Sequence, residues 1–308
     1  MNGASLASVA TELAGGTVVA PLLPGLIQHW KARLQGRRGP SPLQPYRELR
    51  RLWGKSAVDP LGSGAVYRWA PAVAAASVTA AVLLVPVTAS TSSLGVGRDM
   101  LVLAGLFALA RFAVAAAAWD VSHGFSLMGA SRDLTIAVST EATLVLALAV
   151  GALVAGTTSL TGMIAGTAGT AVWSNPALAL GAVAFALVVV AETGRQPIDN
   201  PDTHLELTMI HEGPLLEYAG RDLAFLQWAA AVRHWLVLVL AAQIFLPHAH
   251  GVWEQLAVLP VALVALSAGL AITETVTAKM RILLAPRLLA VGAVAALLGV
   301  AAWLVQLS

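Results

Sequence analysis

Residues Ala191 to Asp222 read AETGRQPIDNPDTHLELTMIHEGPLLEYAGRD. Seven of the chain's sixteen carboxylates lie in this stretch: Glu192, Asp199, Asp202, Glu206, Glu212, Glu217 and Asp222. The residues on either side, 177–191 and 223–232, carry no charge. Unpaired backbone and carboxylates cannot face lipid, so such a segment lies at a surface or lines a cavity within protein. The rest of the chain reads as a scaffold that places it.

That scaffold is a membrane protein. Of its 308 residues 58% are hydrophobic and only 11% charged, and the mean hydropathy is +0.78; soluble domains carry roughly 25% charged residues. There is no cysteine, so no disulfide, thiolate zinc site or cysteine-ligated iron–sulfur cluster resides in this chain. The N-terminal apolar run lacks the basic start of a signal peptide and is read as a retained span.

Taking about 20 apolar residues per crossing, the sequence predicts an all-α integral membrane protein of about eight spans in one transmembrane domain, 1–308. They are Leu6–Gln28, Trp69–Ser90, Asp99–Asp120, Arg132–Ala155, Pro176–Arg195, Asp222–Leu246, Glu254–Val276 and Pro286–Val305. Residues 142–191 carry no charge, and the Gly/Thr/Ser-rich segment 156–175 supplies the turn they need. Lys and Arg crowd the loop after the first span (28–68), with more at Arg132, Arg195, Arg221, Lys279, Arg281 and Arg287; the opposite loops show only Arg98. The positive-inside rule then places both termini outside and the acidic loop 191–222 in the cytoplasm. Within the basic loop, Pro45 suits a first helical position. Leu43, Tyr46, Leu49 and Trp53 would share one face of the helix it opens, opposite Arg47, Arg50, Arg51 and Lys55. That pattern fits an interfacial helix against membrane lipid.

Ionisable groups inside a bilayer are expensive and are functional candidates by default. Arg111 and Glu141 each lie about 13 Å deep from the inner side, and Arg233 about 16 Å, at 1.5 Å per residue. Arg111 and Glu141, on neighbouring antiparallel spans, are expected to pair. Glu192 and Glu274 lie near inner helix ends. Together they make a polar file from the inner surface to mid-membrane, able to pass protons; the competing reading is a set of static ion pairs. For Glu12, Asp120, Asp133 and Glu274 taken singly, helix-end solvation is the simpler expectation. Asp202 is placed to cap a helix over Thr203–His211. His204 and His211 would share a face of it, but no third ligand is evident, and no metal site is expected. No Walker A motif, dinucleotide fingerprint or nucleophile elbow occurs, so no catalytic residue is assigned, and nothing points to nucleic acid.

Two motifs carry a resemblance. Glu192–Ala224, ETGRQPIDNPDTHLELTMIHEGPLLEYAGRDLA, resembles the signature of the membrane subunit of formate hydrogenlyase and related group 4 nickel–iron hydrogenases, a family similar to subunit 1 of respiratory complex I. Lys31–Pro40, KARLQGRRGP, followed by LQPY at Leu43–Tyr46, resembles that family's segment after its first span. The resemblance implies a multi-pass subunit of a prokaryotic inner membrane. It would join a peripheral arm of hydrogenase-like large, small and Fe–S subunits to antiporter-like membrane subunits. The NiFe centre and Fe–S clusters would sit on those partners. It implies that Glu192, Arg195, Asp199, Asp202, Glu206 and Glu217 match the loop positions that begin the proton path near a quinone cavity, and that Glu141 matches a buried acid of the fourth helix. Glu212, Arg233 and Glu274 extend this expected pathway, and Arg37, Arg38, Arg47, His204, His211 and Tyr218 are expected at the interface with the arm. His204 stands where complex I has an acid, and the interval from Glu206 to Glu217 is longer than in complex I. Both departures favour the hydrogenase branch over quinone reduction. A structural anchor, an independent transporter and a quinone-reducing subunit remain as alternatives.

Overall fold

The computed structural model describes residues 12–87, 99–168, 174–200, 209–247 and 252–307. Among these every regular element is helical. In chain order they are a π turn at Gly15–Val19, α1 (Leu22–Leu34), α2 (Gln44–Trp53), α3 (Ala65–Leu84), α4 (Met100–Val121), α5 (Gly124–Ala155), α6 (Leu160–Thr167), α7 (Pro176–Glu192), α8 (Gly220–Leu240), α9 (Val252–Val276) and α10 (Ala285–Leu307). A second π turn, Ala241–Phe245, extends α8, and two 3-10 turns, Gly213–Leu215 and Ile282–Leu284, precede α8 and α10.

Among the described residues six helical segments are long and apolar enough to cross a bilayer: Ala65–Leu84, Met100–Val121, Gly124–Ala155, Gly220–Phe245, Trp253–Val276 and Ile282–Gln306. The apolar α7 is shorter, at 17 residues. The first expected span, Leu6–Gln28, begins outside the described residues. Its described part is interrupted at the π turn and Pro21, and α1 then runs six residues past Gln28. Lys31 therefore lies on a helix rather than in the basic loop, because it has a buried partner there.

Helix ends follow from local chemistry. The Asp99 carboxylate accepts from Leu101 N at 2.7 Å and caps α4, and Asn175 accepts from Ala177 N ahead of α7, with Pro176 at its first turn. Each satisfies an amide that has no partner inside the helix. Asp120, expected to be solvated, instead accepts from Gly64 N at 2.8 Å and Tyr67 N at 3.0 Å and caps α3. α5 starts eight residues before the expected Arg132, at Gly124, so Asp133 lies well inside a helix of 32 residues.

α4, α5, α7 and α10 pack in sequence, α3 joins α4 to α8, and α9 lies mainly against α1. The acidic stretch returns to this bundle through a close approach. A Cβ on Gly129 of α5 would sit 2.7 Å from Gly213, so only glycine lets the two backbones meet. Small residues serve this purpose generally in membrane bundles.

Candidate functional site

α7 ends where an apolar helix meets the acidic stretch, and its last residue, Glu192, is buried with no solvent-exposed side chain. Two guanidinium groups hold it. Arg111 Nη2 of α4 donates at 3.1 Å, and Arg233 Nε of α8 lies at 2.5 Å, both on Oε2. Arg233 also donates from Nη1 to the Phe107 carbonyl at 3.3 Å, and its guanidinium lies 4.9 Å above the Phe107 ring centre. This stacked, hydrogen-bonded setting suits arginine, whose planar charge is weakly hydrated. The charge of Arg233, inside the apolar α8, is thus matched within the bundle.

From Arg111 the chain of charges continues outward. Arg111 Nε lies 3.7 Å from Asp133 Oδ2 of α5, and Asp133 Oδ1 lies 3.6 Å from His211 Nε2. His211 Nδ1 is 3.1 Å from Asp199 Oδ2, which also accepts from the His211 backbone N at 3.2 Å. Lys279, between α9 and α10, donates to Asp199 Oδ1 at 3.0 Å. The seven side chains Lys279, Asp199, His211, Asp133, Arg111, Glu192 and Arg233 form one alternating file.

Outside the helices the titration of this file is shaped by its neighbours. Burial pushes the Asp199 carboxyl up, but the hydrogen bonds and charges of His211 and Lys279 outweigh it, and the group is held well below the usual carboxylate range. Burial works against a charged His211, yet the Asp199 hydrogen bond and the Asp133 charge win, so its imidazole is raised above its ordinary value. Opposite charges and desolvation compete in this way at any buried pair.

Arg195 turns back after α7 and donates from Nη1 to Glu274 Oε1 of α9 at 3.0 Å. Lys31 Nζ lies 3.1 Å from the other oxygen of Glu274. Glu274, Asp133 and Glu12 are all buried rather than solvated helix ends. The direct Arg111–Glu141 pair expected from depth is replaced by Arg111 with Glu192 and Asp133. Glu141 stands half-buried, within the field of Arg111 and Arg233. Register explains the change: α5 is long enough to bring Asp133, two turns before Glu141, to Arg111.

Other candidates go elsewhere. Glu217 pairs with His123 at 2.8 Å near the surface. Tyr218 stacks on Tyr67 at 4.2 Å between ring centres; its hydroxyl donates to Tyr67 O, and the Tyr67 hydroxyl donates to Glu217 O. Glu212, Arg37, Arg38 and Arg47 are exposed. Asp202, His204 and Glu206 lie outside the described residues. So does most of the expected helix over Thr203–His211, and residues 209–211 are not helical. Of the apolar face expected on α2, Tyr46 and Leu49 are half-buried and Leu43 and Trp53 exposed, the Trp53 ring meeting Phe225 edge-on at 4.9 Å; Leu52, outside that face, is buried. Lys31 and Lys279 were read as orientation markers; their signal was Glu274 and Asp199, buried acids in need of cations.

A cavity of about 720 Å³ opens beside the file. Its apolar lining includes Pro21 and Pro24 of α1, Pro45 and Leu49 of α2, and Leu223 and Leu226 of α8. Its polar lining includes Arg111, Asp133, Glu192, Arg195, His211 and Arg233. Arg111 Nη1, Glu192 Oε1 and Arg233 Nη2 are buried there and make no hydrogen bond among the described residues, an exception to the usual pairing of buried polar groups.

Comparison with known proteins places the chain. The model of the family described as NADH dehydrogenase matches residues 8–305. Formate hydrogenlyase subunit 4 of Escherichia coli K12 is 33% identical over 282 residues, covering 88% of this chain and 89% of that one. Hydrogenase-4 component C of the same organism is 35% identical, covering 75% and 72%. A solved chain of the membrane-bound sulfane sulfur reductase, an archaeal respiratory membrane complex, superposes with a TM-score of 0.83 at 22% identity, over 96% of this chain and 99% of that one, and so shares the fold. With its six apolar helices and these relatives, the protein is a multi-pass membrane subunit of a respiratory-type complex, and it belongs to the NADH dehydrogenase family, the group like subunit 1 of complex I.

Proposed function

We propose that this chain is the membrane-embedded subunit of a hydrogenase-type oxidoreductase complex, that it carries no redox centre, and that it couples electron transfer in a docked peripheral arm to the movement of protons or sodium. The observation that carries this reading is the file from Lys279 to Arg233, which joins a loop-borne imidazole to buried charges of the bundle. The similarity to formate hydrogenlyase and hydrogenase-4 subunits supports the hydrogenase setting. The NiFe centre and Fe–S clusters belong on partner subunits, and antiporter-like subunits would carry the ion onward. The membrane is the prokaryotic inner membrane, with both termini outside and residues 191–222 as a cytoplasmic coupling loop; the surface of that loop, with the exposed Arg37, Arg38 and Arg47, receives the arm, while the buried Tyr218 holds the loop in place behind it.

In this reading, a change of charge near Asp199 and His211 alters the balance at Asp133 and Arg111, and through Arg111 the proton affinity of Glu192 and Glu141. Buried charges in low dielectric feel one another strongly enough for this. The test is ion transport per hydrogenase turnover in vesicles holding the whole complex. Glu192→Gln and Glu141→Gln should each abolish most of the transport while turnover with a soluble dye persists; unchanged transport would refute the reading. A second reading, a quinone-site subunit, is favoured by the cavity, whose apolar and polar linings suit an amphiphile with acceptor oxygens. Quinone-dependent turnover of the complex separates it from the first.

A further inference from the structure

Lys31, Glu274 and Arg195 build a second ionic assembly, separate from the Glu192 file. Its centre, Glu274, shares its two carboxylate oxygens between two cations, Lys31 Nζ at 3.1 Å and Arg195 Nη1 at 3.0 Å. All three residues are buried: Lys31 is 5% exposed, Arg195 5% and Glu274 2%. They come from three places, the last turn of α1, the turn after α7 and the end of α9.

Such an assembly is a poor choice for adhesion alone. Burying three charges costs more than an apolar contact of the same size, and what it secures instead is one definite arrangement of the parts. α9 packs mainly on α1 and exposes Val261, Val264 and Ile272 along its outer face, so an apolar contact at its end was within reach. The arrangement secured here involves the cavity. α1 supplies Pro21, Pro24 and Gln28 to its wall, and Arg195 supplies part of its polar lining.

We propose that Lys31 is a positioning residue. Through Glu274 it ties the cavity wall on α1 to the Arg195 turn, and it thereby sets how far the cavity opens. The tie is a matter of geometry; its effect on ion coupling rests on the function proposed above.

The absence of cysteine from the chain makes the opening directly measurable. A thiol introduced by Gln28→Cys is labelled in the intact complex with a water-soluble maleimide, read as mass added to this subunit. Lys31→Met is expected to speed labelling about tenfold or more, since removing one partner of a buried pair is strongly destabilising locally. Glu274→Gln should do the same with no change of shape. Lys31→Arg should restore the original rate, and Arg51→Met, which breaks an exposed pair with Glu48, should leave it unchanged. An unaltered rate in Lys31→Met or Glu274→Gln, or no rescue by Lys31→Arg, overturns the proposal. If the cavity opens as expected but Glu192→Gln leaves transport intact, the coupling function fails while the tie stands.

Discussion

The first part of the acidic stretch, Glu192 to Asp199, and its last part, Glu217 to Asp222, hold the same residue types in different surroundings. Glu192, Arg195 and Asp199 are each at most 6% exposed; Glu192 and Arg195 bind charges from α4, α8 and α9, and Asp199 binds His211 and Lys279. Glu217 and Asp222 are half-exposed, and Glu217 meets one half-exposed histidine. In the first part a charge is answered by a charge inside a low dielectric; in the last, water screens it. The lesson is that a cluster of carboxylates has no uniform meaning, because what each does depends on which helix end it follows. Glu192 is the final residue of a helix that carries it into the bundle, whereas Glu217 follows a short turn that packs on α5 at the Gly129–Gly213 contact and then reaches the surface beside His123.

The strongest way to break this contrast is to remove the shared anion. Glu192→Leu leaves Arg233 buried without its paired carboxylate and Arg111 with Asp133 alone, and should cost about 3–5 kcal/mol or prevent assembly. Adding Arg111→Met should recover part of that loss. Thermal denaturation of the double variant, compared with each single one, measures the coupling. Equal and additive losses would mean that the pair is screened after all.

A pH series sharpens the contrast next. His211 is raised above its free value, so its contribution is complete below about pH 6.5 and is lost as pH rises through the folded value. Asp199 is lowered, so its contribution is present above about pH 3.9 and is lost only as pH falls through its own, lower folded value. Their link is therefore strongest from mildly acid to neutral pH. The melting temperature should fall on the alkaline side, and His211→Gln should flatten that limb; an unchanged alkaline limb would show that His211 does not carry it. The smallest effects belong to the last part of the stretch. Tyr218→Phe removes one buried hydrogen bond and should cost about 1 kcal/mol, and Glu217→Gln should cost about 0–1 kcal/mol. Neither should change ion transport per turnover in vesicles.

Much of the fold was legible in the sequence because apolar runs must be helical in lipid. Seven expected spans each correspond to a helix, with ends displaced by up to eight residues at Gly124. The choice of charge partners was not legible. Depth alone placed Arg111 beside Glu141, but rotation about the helix axes and the length of α5 decided for Asp133 and Glu192. Lys31 was hidden by its setting: one lysine ahead of eight more basic residues in loop 28–68 reads as a topology signal, and only its burial separates it from them. Asp120 and Asp133 were hidden by the same kind of ambiguity, since a carboxylate at a helix end reads as solvated until a neighbouring amide or cation is seen.

α5 is 32 residues long, which at 1.5 Å per residue is about 48 Å, against about 30 Å for the hydrocarbon slab. It carries both Asp133 and Glu141 on one unbroken rod. Since no break in the helix separates the two carboxylates, a displacement of its overhanging end would be carried toward Glu141 along one continuous shaft, as in a piston whose crown and rod are cast in one piece.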